Sequence, residues 1–199
     1  MSNIYYRYLN LFYPFFNEDE VTKKYSNTPN FDPNKNGQWR IDGEINPDIF
    51  NEEAYAWLNQ FNCYAGPAEV FYTAPHSKIS YHIDISGVGP AFDYVKLNFI
   101  WGPKKDHYMK WGEPKHDVSN EIGYNSCGSP HIKYKMSEID EKESVCITQP
   151  ILVNVGRPHL AINDSDIGRW CLCLIPKTNI DGCRIEFNEA VELFKDYIA

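Results

Sequence analysis

The chain has 199 residues, 43% of them apolar and 15% aromatic, with 27 Asp and Glu against 19 Lys and Arg for a formal net charge of −8. That length can bury a real core within one domain, and the composition excludes a disordered or fibrous chain. No basic cluster exceeds Lys104-Lys105, so a phosphate-backbone binder is disfavoured and nucleic acid is not an expected partner.

The first residues, MSNIYYRYLNLFYPFF, are aromatic but broken by Arg, Asn and Pro, and lack the three-part pattern of a secretory signal. No apolar run approaches the ~18 residues of a membrane span. Six cysteines occur without a CxxC, which gives no support to a zinc ribbon or thioredoxin motif and fits a reducing, cytoplasmic setting.

Residues 1–67 read as a helical and irregular flank. Asn17 can cap a helix over EDEVTKKY, and 51–61 predicts a second one, with Tyr55, Leu58 and Phe61 on its buried face and Trp57 nearby. Strand patterns then dominate: 68–74, 77–85, 93–101, 144–149, 150–156, 158–163 and 169–176 are short, rich in β-branched or aromatic residues, and bounded by Gly, Pro, Asn or Asp. Between them, 102–143 is polar with weak periodicity and reads as a long excursion, solvated or acting as a lid. An amphipathic helix is expected over 187–198. The chain is thus read as one domain, 1–199, with a β core over 68–176 and a helical segment over 177–199. The expected fold is mainly β, a sandwich or barrel flanked by helices, with a jelly roll among the options.

The chemistry concentrates in SYHIDIS. On a strand, residues two apart share a face, so His82 and Asp84 project together while Tyr81, Ile83 and Ile85 point the other way. An inward carboxylate without a partner is costly, and a divalent metal would settle that cost. The one later histidine in a strongly strand-like setting is His159, which completes two imidazoles and one carboxylate with metal positions left open. Ten residues on stands Arg169, on the face of Cys171 and Cys173, where a buried guanidinium needs an anion. Lys96 and Asn98 share a strand face, and with Asn154 and Tyr72 are further candidates for contact with a cosubstrate. His107, His116 and His131 lie in the polar excursion at spacings that match no zinc pattern.

The order His82-x-Asp84, His159, Arg169 over roughly 68–176 resembles the 2-oxoglutarate/Fe(II)-dependent dioxygenase superfamily. The resemblance implies a double-stranded β-helix (jelly-roll, cupin-like) core, Fe(II) held by His82, Asp84 and His159, and the distal carboxylate of 2-oxoglutarate on Arg169. It also implies O2 and 2-oxoglutarate as cosubstrates, and hydroxylation of a C–H bond in a prolyl or aspartyl/asparaginyl residue of a protein, or in a free small molecule. Asp84 departs from the related halogenases, which carry a small residue there, and the second arginine of nucleobase demethylases has no counterpart near Arg169. A metalloenzyme of cupin type that needs no 2-oxoglutarate, and a non-catalytic jelly-roll binding protein, are the alternatives.

Overall fold

The computed structural model describes residues 3–41, 48–85, 93–116, 121–178 and 183–199. In chain order these form β1 (Tyr6–Tyr8), α1 (Glu18–Ser26), β2 (Gly37–Ile41), α2 (Glu52–Gln60), β3 (Cys63–Ala65), β4 (Ala68–Thr73), the two-residue β5 (Ser77–Lys78) and β6 (His82–Asp84). There follow β7 (Val95–Trp101), β8 (His107–Pro114), β9 (Ile122–Tyr124), β10 (Pro130–Lys133), β11 (Ile139–Val145), β12 (Ile151–Asn154), β13 (His159–Asn163), β14 (Arg169–Leu174), β15 (Pro176–Thr178) and α3 (Phe187–Leu193).

Two antiparallel sheets carry the fold. The first runs β1-β12-β7-β14-β4-β2, the second β11-β8-β13-β6-β10-β9 with β5 beside β13. The chain crosses between them repeatedly: β4 lies in the first, β6 in the second, β7 in the first, β8 in the second, and β12, β13 and β14 alternate again. That winding makes a jelly-roll sandwich, the expected fold class.

The helices cover the outer face of the first sheet. Trp57 and Leu58 of α2 and Phe187 and Ala190 of α3 share one core with Val70, Leu97 and Leu172, which alternate along β4, β7 and β14. The outer face of the second sheet buries Tyr81, Ile83, Ile85, Ile132 and Leu160. Between the sheets, Trp111, Ile151 and Val153 fill one side with apolar packing. The remaining space between the layers is polar and open, and there the site lies.

Local chemistry explains the boundaries. Asn17 caps α1 as expected, its side-chain oxygen accepting from the backbone N–H of Asp19 and Glu20. Asn51 does the same for α2 through Ala54. The C-terminal helix is shorter than expected: α3 ends at Leu193, and residues 195–197 make a single tighter turn. The 77–85 strand is also interrupted, since β5 and β6 are separate pieces joined by residues 79–81.

Two larger expectations fail. The 102–143 excursion contains β8, β9, β10 and most of β11, so much of it is sheet rather than loop. Its strands carry Lys, Glu and His because one face is wet or cavity-lining, which blurs an alternation signal built on apolar residues. The 1–67 flank likewise supplies β1 and β2, each at an edge of the first sheet. The strand expected over 144–149 is instead the end of β11, at Val145.

Candidate metal centre

Two paired strands bring the ligand set together. His82 and Asp84 lie on β6, and His159 on β13 pairs directly with His82 in the antiparallel register. One ligating atom from each of His82, Asp84 and His159 falls within 4.8 Å of the others. The imidazole centroids of His82 and His159 are 4.3 Å apart, and His82 Nε2 is 3.7 Å from Asp84 Oδ1.

Backbone carbonyls fix both rings. Nδ1 of His82 lies 2.9 Å from the Ser80 carbonyl oxygen, and Nδ1 of His159 lies 2.9 Å from that of Arg157. A carbonyl can only accept, so each Nδ1 carries the proton and each Nε2 lone pair is left for a metal. Burial, with His82 beside it, pushes the His159 imidazole down to about 3, so it stays neutral and ligand-ready.

Asp84 offers one oxygen rather than two. Its Oδ2 lies 2.7 Å from Lys96 Nζ, and the same ammonium lies 2.8 Å from Glu69 Oε2. Burial would raise the Asp84 carboxyl, but Lys96, followed by His82 and His159, outweighs it and holds the group below the ordinary carboxylate range. Burial also opposes the charge on Lys96, and Asp84 and Glu69 together override it and raise the ammonium. The donor set suits a divalent ion: two imidazole Nε2 atoms and a carboxylate oxygen converge, with the second oxygen already satisfied.

These groups open into a cavity of about 440 Å³ between the sheets. The sheet facing the ligands contributes Glu69, Lys96, Asn98, Arg169, Cys171 and Cys173. The alternation read on β7 and β14 therefore holds: Val95, Leu97 and Phe99 on one, and Trp170, Leu172 and Leu174 on the other, turn outward to the helical core. Arg169 is 2% exposed, and no ion pair is found for it among the described residues, where Asp166 engages His76 instead. Its Nε has no hydrogen-bond partner. Burial lowers the guanidinium below its ordinary value, partly offset by Cys171 and Cys173.

Other bare groups cluster at this end. Asn98 lines the cavity with Oδ1 unpartnered, its amide N–H donating only to Met109 Sδ at 3.9 Å. His107, beside Arg169, is pushed down to about 4 by burial and then by that guanidinium, and its Nδ1 is bare.

Two expected contacts fall elsewhere. Tyr72 is on the outer face of β4, where its hydroxyl donates to the Pro33 carbonyl at 2.9 Å and its ring packs on Phe31 and Trp170. Gly168 makes room for it, since a Cβ there would lie 2.1 Å from the Tyr72 ring. Asn154 ties β12 to the N-terminal segment, donating to the Ile4 carbonyl and accepting from Gly156 N–H. Neither lines the cavity. Lys96, expected to meet a cosubstrate, is committed to Asp84 and Glu69.

Two site residues escaped the sequence reading. Glu69 alternates with Phe71 on the cavity face of β4, and a carboxylate inside AEVFYTA was the available signal. His131 pairs with Asp84 across β10 and β6, its ring edge-on to His82 at 6.1 Å. Period two in PHIK, with Ile132 opposite His131 and Lys133, would have shown it.

No family model and no curated protein matches the chain. Among solved structures it is similar to an oxalate oxidase in complex with the substrate analogue glycolate, at 10% identity and TM-score 0.34 over 80% of this chain and 57% of that one. A recombinant oxalate oxidase in complex with glycolate gives 10% and 0.34, over 81% and 57%. Peruvianin-I, a cysteine peptidase from Thevetia peruviana latex, gives 9% and 0.36, over 85% and 86%. The chain spans a little over half the length of the two oxidases. Likeness at this level carries no argument about activity, which rests on the site alone. No helix among the described residues is long and apolar enough to cross a membrane.

Proposed function

We propose that the protein is a cytoplasmic Fe(II)- and 2-oxoglutarate-dependent oxygenase that hydroxylates a C–H bond of a protein residue or of a small molecule. One observation carries this reading: the cavity holding His82, Asp84 and His159 also holds a buried guanidinium, Arg169, with no carboxylate partner among the described residues. A buried unpaired cation is expensive, and a dicarboxylate ligand that meets the metal at one end would neutralise it at the other.

When bound, Fe(II) supplies the one-electron and O2 chemistry that no side chain provides. The chain's own residues do the rest. His82 and His159 present Nε2, held in that tautomer by the Ser80 and Arg157 carbonyls. Asp84 presents one oxygen while Lys96 retains the other. Arg169 fixes the distal carboxylate through a planar fork of N–H donors. The apolar sulfur and alkyl groups of Met109, Ala161 and Cys171 line the same cavity, limiting water around the bound acid.

The test is anaerobic. Fe(II) followed by 2-oxoglutarate should give a visible metal-to-ligand charge-transfer band in the wild type and none in His82→Ala. Arg169→Ala should need on the order of 100-fold more 2-oxoglutarate, the loss of a charge-assisted bidentate pair. A protein that retains no iron and stays colourless would overturn the reading. Metal-dependent activity that never needs 2-oxoglutarate would mark a cupin-type metalloenzyme instead.

A further inference from the structure

The wall of the cavity on the other side of the metal ligands carries a charge of its own. β10 runs antiparallel to β6 with His131 opposite Asp84 and Lys133 opposite His82. Residues opposite each other share a face. Four side chains therefore form a two-by-two block, His82 and Asp84 on one strand and Lys133 and His131 on the next, with His159 flanking His82 on the far side. Both His131 and Lys133 line the cavity.

Among the described residues neither has a side-chain partner that accounts for it. His131 is 4% exposed, and its Nε2 is buried without a hydrogen bond. Lys133 is exposed at the mouth, and no ion pair is found for it among the described residues. Several other polar groups at the mouth are already occupied. Gln38 donates to Glu69 and accepts from Ser126, Ser129 donates to Glu69, and the side-chain oxygen of Asn125 accepts from Cys127 and Ser129 N–H.

The charge balance points the same way. Lys96, Lys133 and Arg169 line the cavity against Glu69 and Asp84, which leaves one positive charge in a protein of net charge −8. A divalent ion and a dicarboxylate dianion cancel each other. One positive charge then remains, and it is at the mouth, because Lys96 is paired with Asp84 and Glu69 and Arg169 meets the cosubstrate. A cavity of about 440 Å³ lies toward the small end of the ~300–1,000 Å³ range of ligand sites, so little room is left for a large apolar substrate.

We infer that the substrate of this centre presents a carboxylate, seated on Lys133 with His131 beside it, which places the neighbouring carbon next to the metal. This inference rests on the proposed oxygenase reading. The carboxylate can belong to a free amino acid or to an acidic side chain of a peptide; the chemistry on Lys133 is the same.

The experiment uses the charge-transfer band of the anaerobic Fe(II)–2-oxoglutarate complex of the full chain. L-aspartate and L-glutamate are titrated in, beside L-asparagine and L-glutamine. In a second arm, a short capped peptide with an internal aspartate is compared with its asparagine counterpart. At least one acid should perturb the band at a concentration about 10-fold or more below that of its amide, the worth of one charge-assisted hydrogen bond. Whichever arm responds names the source. In Lys133→Met, whose exposed side chain the fold does not need, the preference for acid over amide should fall to within about twofold. Amides that act as well as acids, a band that no acid perturbs, or a preference that survives in Lys133→Met would each overturn the inference while leaving the metal centre intact. No band in the wild type would instead overturn the oxygenase reading beneath it.

Discussion

Lys96 and Arg169 stand on adjacent strands of one sheet, face the same cavity, and are nearly equally buried, at 6% and 2% exposure. Their surroundings are opposite. Lys96 lies within 2.8 Å of two carboxylates, whereas Arg169 has small sulfur-bearing neighbours and, among the described residues, no acid. A buried cation that already has its anions is part of the scaffold, and one without them is a candidate receptor. On the proposed reading, the difference separates the half of the cavity that is finished on folding from the half that waits for a ligand.

The largest effect should come from breaking the finished half. Lys96→Met strands Asp84 and Glu69 as two buried carboxylates, and removal of one partner from a buried ion pair costs about 3–5 kcal/mol. Urea unfolding of the metal-free variant should show that loss. A stability equal to wild type would mean the Lys96–Asp84–Glu69 cluster contributes nothing to the fold.

Ligand should act on the unfinished half alone. At 100 times its dissociation constant, 2-oxoglutarate with a divalent ion should stabilise the wild type by about 2.7 kcal/mol, read as a rise in Tm. The same addition to Arg169→Met should give little or no rise. Equal shifts in both proteins would show that Arg169 is not where the acid sits.

A sharper contrast follows for the metal-free proteins. Arg169→Met removes an unsatisfied buried charge and should leave stability unchanged or raise it by on the order of 1 kcal/mol, opposite in sign to Lys96→Met. A loss of several kcal/mol would show instead that the guanidinium is paired within the fold.

The smallest effect is a pH dependence. Burial and Arg169 push His107 down to about 4, below the ~6.5 of an unfolded histidine. As pH falls from 7 toward 5, the unfolded chain takes up a proton that the folded one refuses, so stability drops. His107 should contribute on the order of 1 kcal/mol to that drop, and His107→Gln should flatten the slope by this amount. A parallel slope would mean that Arg169 and His107 do not share a dry end.

How much of this was written in the chain depends on distance along it. Alternation along β6, β7 and β14 is a local property, because a pleated strand sends successive side chains to opposite faces whatever its neighbours do. It correctly grouped His82 with Asp84, Lys96 with Asn98, and Arg169 with Cys171 and Cys173. Capping by Asn17 was legible for the same reason, since its partners are two and three residues away.

Alternation does not say which face is the site. Both faces of the first sheet are buried, one under α2 and α3 and the other against the second sheet, so polarity alone could not orient β4 or β12. The sequence therefore offers Tyr72 and Asn154 as contacts although neither lines the cavity, and gives no prominence to Glu69, which does. His131 was hidden differently. Its strand is four residues long within a charged stretch, and only the pairing of β10 with β6 brings it beside Asp84, 47 positions earlier in the chain. The sequence alone determined the candidate ligand types, their order and the faces they share, because those follow from neighbours along the chain. Pairing across the sandwich decided that Lys96 has its anions and that Arg169 has none among the described residues, because charges far apart in sequence meet only once the two sheets close.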